Sequence, residues 1–155
     1  MTAVMRNREV LDFLAERGRS ARWVTSVCSG SLVLGVDGCP VRGRPVAVDL
    51  LPAVGAEPVG GRVVVDRNRI TAGGVTAGID FALTLIAEML GDRTAKLVQL
   101  GMEYDPRPPF DAGHPARPDA TEDIVAMARG ITESIGTETM AALRDIGYDR
   151  AATPG

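Results

Sequence analysis

The chain has 155 residues, 45% hydrophobic and 24% charged, enough for one domain with a real core. Its 17 basic and 20 acidic side chains leave a net charge of -3. That excess argues against nucleic acid as a partner, because phosphate binding needs a concentrated positive face. No apolar stretch is long enough to span a membrane, and the N-terminus has no signal-peptide core. No membrane partner and a cytoplasmic location are therefore expected.

Two cysteines, Cys28 and Cys39, make no disulfide framework, and both are expected as thiols. The single histidine, His114, leaves no His-rich metal site to build, and neither CxxC nor HExxH occurs. Aromatic residues are only 4%, too few for a base-stacking surface.

Along the chain, "NREVLDFLAERG" predicts a first helix. Val10, Leu11, Phe13 and Leu14 recur at helical spacing, and Gly18 is a stop signal. "ARWVTSV" predicts a short buried strand. "SGSLVLG" follows with no polar turn, so the chain must bend sharply at Cys28 into a short helix ending near Gly35. The next 26 residues are dense in Gly and Pro and predict loop, with a short strand at Val46–Val48 and a helical turn at Asp49–Val54. "RVVVDRNRIT" predicts a hairpin with strands Val63–Val65 and Arg69–Thr71, Asn68 taking the positive φ of the turn.

"TAGGVTAGIDFALTLIAEMLG" predicts a helix capped by Thr76, with Asp80 in the first turn and Gly91 at its stop. It is apolar nearly all round, so burial is expected. "DRTAKLVQLGMEY" predicts another helix with Asp92 as cap. "DPRPPFDAGHPARPDA" holds five prolines and predicts an extended surface segment. From Thr121 to about Tyr148 one amphipathic helix or a pair is expected, with Ile124, Met127, Ile131 and Ile135 on one face. Strands alternating with helices place the chain in the α/β class.

The chemistry concentrates at Cys28. A strand turning sharply into a helix at a nucleophile is a nucleophile elbow. The turn exposes the side chain, and helix N-terminal N–H groups stabilise a thiolate. Ser29, Gly30 and Ser31 are small and let a substrate approach, and the Ser29 N–H is a donor for a developing anion. Spacing alone leaves open a small buried hydrophobe. Thr76 and Asp80 are a helix cap and dipole partner or part of a loop facing a ligand, and Gly73 and Gly74 allow close backbone approach or simply a turn. Cys39 is expected as an exposed loop thiol and His114 as a solvated side chain. Glu103, Asp105 and Asp111 are candidate acids by residue type only.

"VLDFL", "SVCSGSLVLG", "DLLP", "RVVVDRNRIT", "GGVTAGIDFALTL" and "EYDPRPPFDAG" run from Val10 to Gly113. In that order they resemble the isonitrile hydratase branch of the ThiJ/PfpI superfamily, which has class I glutamine amidotransferase-like folds. The resemblance implies an incomplete flavodoxin-like three-layer α/β sandwich, usually a homodimer. Residues 1–118 would be the C-terminal portion of such a domain and 119–155 a helical tail. It implies hydration of an isonitrile, R–N≡C, to an N-substituted formamide, with no cofactor. Cys28 matches the nucleophile and Ser29 the neighbouring hydroxyl residue, usually Thr in the family. Gly30 and Thr76 are the expected substrate-binding positions. The family's first strands, acidic residue and Gly-rich loop would precede Met1, and its Thr-His-Trp stretch before "DLLP" has no match. Two other readings stand beside the enzyme. One is a non-catalytic remnant or interaction module. The other is the domain of a DNA-binding regulator, for which the tail offers no basic helix-turn-helix.

Overall fold

The structure, a computed structural model, describes residues 1–36, 42–43 and 48–148. Cys39 and most of the expected strand at Val46–Val48 lie outside the described residues.

A one-turn helix α1 (Thr2–Met5) precedes α2 (Arg8–Ser20). The periodicity of "NREVLDFL" does not extend back to α1. Asn7 caps α2, its side chain accepting from the Val10 N–H at 3.2 Å. The helix runs through Gly18, the expected stop, to Ser20, and Ala21 turns extended. Only Leu11 of the apolar stripe is fully buried, and exposed Phe13 carries the Arg17 guanidinium over its ring at 5.7 Å.

Strand β1 (Val24–Val27) leads through Cys28 and Ser29 into α3 (Gly30–Val36). Beyond it, β2 (Arg42–Gly43) pairs in parallel with β3 (Glu57–Pro58), flanking a 3₁₀ segment, Val48–Val54, over the expected helical turn. The expected hairpin forms as β4 (Val63–Asp66) and β5 (Arg69–Ala72), with Val65 opposite Ile70. The left-handed turn position is Arg67, φ 55°, rather than Asn68. Asn68 is committed elsewhere: its amide donates to the Ala21 carbonyl at 3.1 Å, and its own carbonyl accepts from the Val24 N–H at 2.9 Å. It ties the hairpin to the entrance of β1.

The main sheet has the order β1-β5-β4, β1 parallel to β5 and β5 antiparallel to β4. The register sets Ser26 beside Thr71 and Val27 beside Ala72. Successive strand residues face opposite sides, and each side of β1 meets a different helix. Ser26 faces α3, where its hydroxyl pairs with that of Ser31 at 2.8 Å. Val27 faces α4 (Ala77–Leu90), coming within 3.9 Å of where a side chain on Gly78 would begin. Helices therefore cover both faces of the sheet, the layering of a flavodoxin-like α/β fold.

The core lies on the α3 side, where Leu11, Leu32, Leu51 and Val54 meet Met5. Helix α5 (Asp92–Gly101) follows α4 with Gly91, not Asp92, at the cap position; Asp92 is its first residue. After a stretch of turns and coil, α6 (Glu122–Asp145) is one helix of 24 residues, unbroken by Gly130 or Gly136. Its last turns bring Ala142 and Leu143 into the core, and Arg6 pairs with Asp145 at 2.7 Å. Its first turns leave Ile124, Met127 and Ile131 exposed.

Helix α4 departs from expectation. Only Ala77 is buried, most of the rest is half-exposed, and Met89 and Leu90 are exposed. A helix this apolar normally buries itself because water contact with its side chains is unfavourable. One side of α4 meets the sheet and α5, and its outer side stays half-exposed or exposed.

Candidate active site

The elbow is built by backbone geometry. Cys28 has φ 59°, a left-handed conformation that costs an L-residue about 1–2 kcal/mol. Non-glycine residues held there cluster at functional sites. The strain is held by hydrogen bonds: the Cys28 N–H is shared between the carbonyls of Ala72, at 2.9 Å, and Gly73, at 3.0 Å. Both acceptors lie where β5 ends, so the parallel pairing of β1 and β5 continues into the elbow.

Cys28 is a free thiol and half-buried, within reach of both solvent and sheet. Ser29 and Gly30 are half-buried beside it. The Ser29 N–H has no backbone acceptor among the described residues. Gly30 has a packing reason as well: a Cβ there would come within 3.3 Å of Ser26 Cβ, so glycine lets α3 start close against β1.

Thr76 sits at the cap position of α4, yet its side chain does not cap the helix. The first amides of α4 are satisfied by a tight turn instead, Ala77 N–H to Gly74 O at 2.8 Å and Gly78 N–H to Val75 O at 3.0 Å. The exposed Thr76 hydroxyl is thereby released, and it accepts from Arg62 Nη2 at 3.2 Å.

Arg62 is the residue that sequence reading missed. Its Nε donates to the Asp80 carboxylate, whose other oxygen accepts from the Tyr104 hydroxyl at 3.1 Å. The hydrogen bond to Asp80 is the main reason the guanidinium is held in its charged form beyond its ordinary range. Asp80 is thus an ion-pair partner and not only a dipole partner. Arg62 also accepts the Gly73 N–H on its own carbonyl at 3.1 Å. No local pattern signals this cluster, because Arg62, Asp80 and Tyr104 are separated by 18 and 24 residues.

The remaining candidate acids and the histidine share no bond with this cluster. Glu103 is exposed at the end of α5 with φ 53°. Exposed Asp105 pairs with Arg107 at 2.7 Å, and exposed Asp111 pairs with Arg117 at 3.6 Å. His114 is half-buried, and its Nδ1 accepts from the Ala116 N–H at 3.0 Å within its own loop. Among the described residues no group of three His, Cys, Asp or Glu side chains is placed to share a metal ion. None of their helices is long and apolar enough to cross a membrane.

A family model described as the DJ-1/PfpI family matches residues 2–88, which hold the elbow, the hairpin and most of α4. Isonitrile hydratase of Pseudomonas putida is 52% identical, over 77% of this chain and 55% of its own length. A ThiJ/PfpI family protein from Pseudomonas syringae has a structure that superposes with a TM-score of 0.81 at 41% identity. That superposition covers 91% of this chain and 59% of the other. A cysteine-to-alanine mutant of a DJ-1 superfamily protein from Salmonella typhimurium gives 0.60 at 29% identity, over 67% of this chain and 58% of that one. The chain spans a little over half the length of these relatives. Matched through its elbow and through both layers around the sheet, it belongs to the DJ-1/PfpI family.

Proposed function

We propose that this chain carries the nucleophile half of an isonitrile hydratase-like lyase. The observation that supports it most is the left-handed backbone at Cys28, between a parallel strand and a helix, in a chain 52% identical to an isonitrile hydratase. In the reaction, the Cys28 thiolate attacks the terminal carbon of R–N≡C, forming a C–S bond, and that carbon takes a proton. The product is a thioimidate, R–N=CH–S–Cys28. Water adds to the same carbon and gives a tetrahedral intermediate. Water's second proton goes to nitrogen; the C–S bond then breaks, the electron pair returns to sulfur, the hydroxyl proton is released to balance the one taken up at carbon, and R–NH–CHO leaves. Ser29 lies beside the nucleophile, and its N–H would stabilise charge that develops at the substrate. Gly30 and Thr76 would border the substrate. Proton delivery has no assigned residue among those described, and it is commonly worth 10²–10⁴-fold, to order of magnitude.

The protein would be cytoplasmic, where a reducing environment keeps Cys28 a thiol. It would act as a homodimer: Leu97 and Leu100, one helical step apart on α5, are 70% and 76% exposed. The test is incubation with a simple alkyl isonitrile and detection of the formamide. Product above a Cys28→Ala control supports the enzyme. Product equal to that control leaves the second reading, a non-catalytic interaction module. The partly uncovered face of α4 favours that reading.

A further inference from the structure

The segment from Gly73 to Thr76 lies against the elbow and starts with two glycines, the residues that lose most conformational freedom on ordering. Something must hold it. Its first residue is tied on both sides: the Gly73 carbonyl accepts at 3.0 Å from the Cys28 N–H, which the Ala72 carbonyl shares at 2.9 Å, and the Gly73 N–H donates to the Arg62 carbonyl at 3.1 Å. Its last residue, Thr76, accepts from the Arg62 guanidinium at 3.2 Å. One residue therefore grips both ends of the loop, with its backbone at one end and its side chain at the other. The guanidinium is itself aimed by Asp80, which Tyr104 holds from the other carboxylate oxygen at 3.1 Å. Asp80 lies in the first turn of α4, where the helix dipole favours its charge. A planar guanidinium serves Asp80 and Thr76 at once through two different nitrogens, whereas a lysine ammonium is a point charge on a flexible stem.

We propose that Arg62 is a positioning residue for Cys28, acting through the two-glycine loop whose ends it clamps, with Asp80 and Tyr104 aiming the clamp. This deepens the hydratase reading and rests on it for the catalytic consequence, but the clamp itself is independent of substrate.

The test is amide hydrogen exchange of the full chain by NMR, alongside formamide production. In Arg62→Gln, the Gly73 amide should exchange about tenfold faster than in the wild type, and the Cys28 amide faster by less because Ala72 still accepts from it, while amides of α2 and α6 stay unchanged. Asp80→Asn should act in the same direction, and the double variant should be no worse than Arg62→Gln alone. Arg62→Lys should not restore protection. On the hydratase reading kcat should fall in step, with a smaller rise in KM because Thr76 borders the substrate. Asp66→Asn, which breaks the Arg67–Asp66 pair in the hairpin turn, is the control and should change neither readout. Should Arg62→Gln not fold, Tyr104→Phe replaces it, with a smaller but equally local effect. Wild-type exchange at Cys28 and Gly73, or faster exchange spread evenly over the chain, overturns the clamp. Absence of formamide from the wild type overturns the hydratase reading alone, and the exchange result still decides the clamp.

Discussion

Gly35 and Val54 meet so closely that a Cβ on Gly35 would lie 2.5 Å from Val54 Cγ2 and 2.9 Å from the Val54 carbonyl oxygen. This contact seats α3 on the 3₁₀ segment. Alanine in a helix is favoured over glycine by about 1 kcal/mol, but forced overpacking costs typically about 1–3 kcal/mol. The backbone oxygen cannot rotate away, so the clash should win. Gly35→Ala is expected to lower stability by about 1–2 kcal/mol, read as a drop in the urea midpoint at constant slope. A variant as stable as the wild type would show that the two segments do not pack this way.

The buried Ser26 and Ser31 hydroxyls satisfy one another. Removing one orphans the other, at a cost of about 1–3 kcal/mol. Ser31→Ala should therefore cost more than a surface substitution. Adding Ser26→Ala should then recover part of the loss, since no orphan remains. A double-mutant cycle with additive energies would refute the pairing.

The left-handed backbone at Cys28 makes its own prediction. Alanine keeps the strain, whereas glycine relieves it. Cys28→Gly should be more stable than Cys28→Ala by roughly 0.5–1 kcal/mol, the strain relief offset by glycine's larger unfolded-state entropy. Both should lose thiol chemistry. Melting both proteins side by side decides the point. A glycine variant that is the less stable of the two would mean that Cys28 is not strained.

Helix α5 ends on a Schellman motif with an unusual residue. The Tyr104 N–H bonds Gln99 O at 3.1 Å and the Glu103 N–H bonds Leu100 O at 3.0 Å, with Glu103 at φ 53° in the position glycine normally holds. Glu103→Gly is expected to stabilise the protein by about 0.5–1 kcal/mol. A lower thermal midpoint in that variant would contradict the motif.

At the start of α6 the Thr121 hydroxyl donates to the Asp123 carboxylate, and the amides of Asp123 and Ile124 add to it. The Thr121 bond is the main cause holding Asp123 below the ordinary carboxylate range. A depressed folded-state value means that this contribution is complete above the ordinary range and is lost as the pH falls through the depressed value. An NMR titration should give Asp123 a midpoint below that of a model peptide. Thr121→Val should move it back up; an unmoved midpoint would remove the cause assigned here.

How much was legible follows from how local each feature is. The strand, the bend at Cys28, the hairpin and α4 rest on periodicity and turn residues within a few positions, and they appear where those signals lie. Thr76 was legible as the residue before a helix, but its hydroxyl goes to Arg62 because a tight turn from Gly74 already serves the α4 amides. Asn68 was legible as a turn residue, but Arg67 takes the positive φ because Asn68 is bonded to Ala21 and Arg69. At Asn68 a tertiary hydrogen bond outweighed a local preference of comparable size, and at Thr76 a neighbouring turn removed the need for the cap.

By itself the sequence determined the α/β alternation, the small residues after Cys28 and, through its blocks of similarity, the family. These depend on short-range spacing and on the order of motifs. Only the tertiary structure decided that Cys28 is left-handed, that Ala72 and Gly73 share its amide, and that Arg62 joins both ends of the adjoining loop to Asp80 and Tyr104. It also decided that apolar α4 is only half-covered. The physical reason is the same throughout. A hydrogen bond or a buried face depends on what a distant segment brings within about 3–4 Å, and no local spacing encodes that distance.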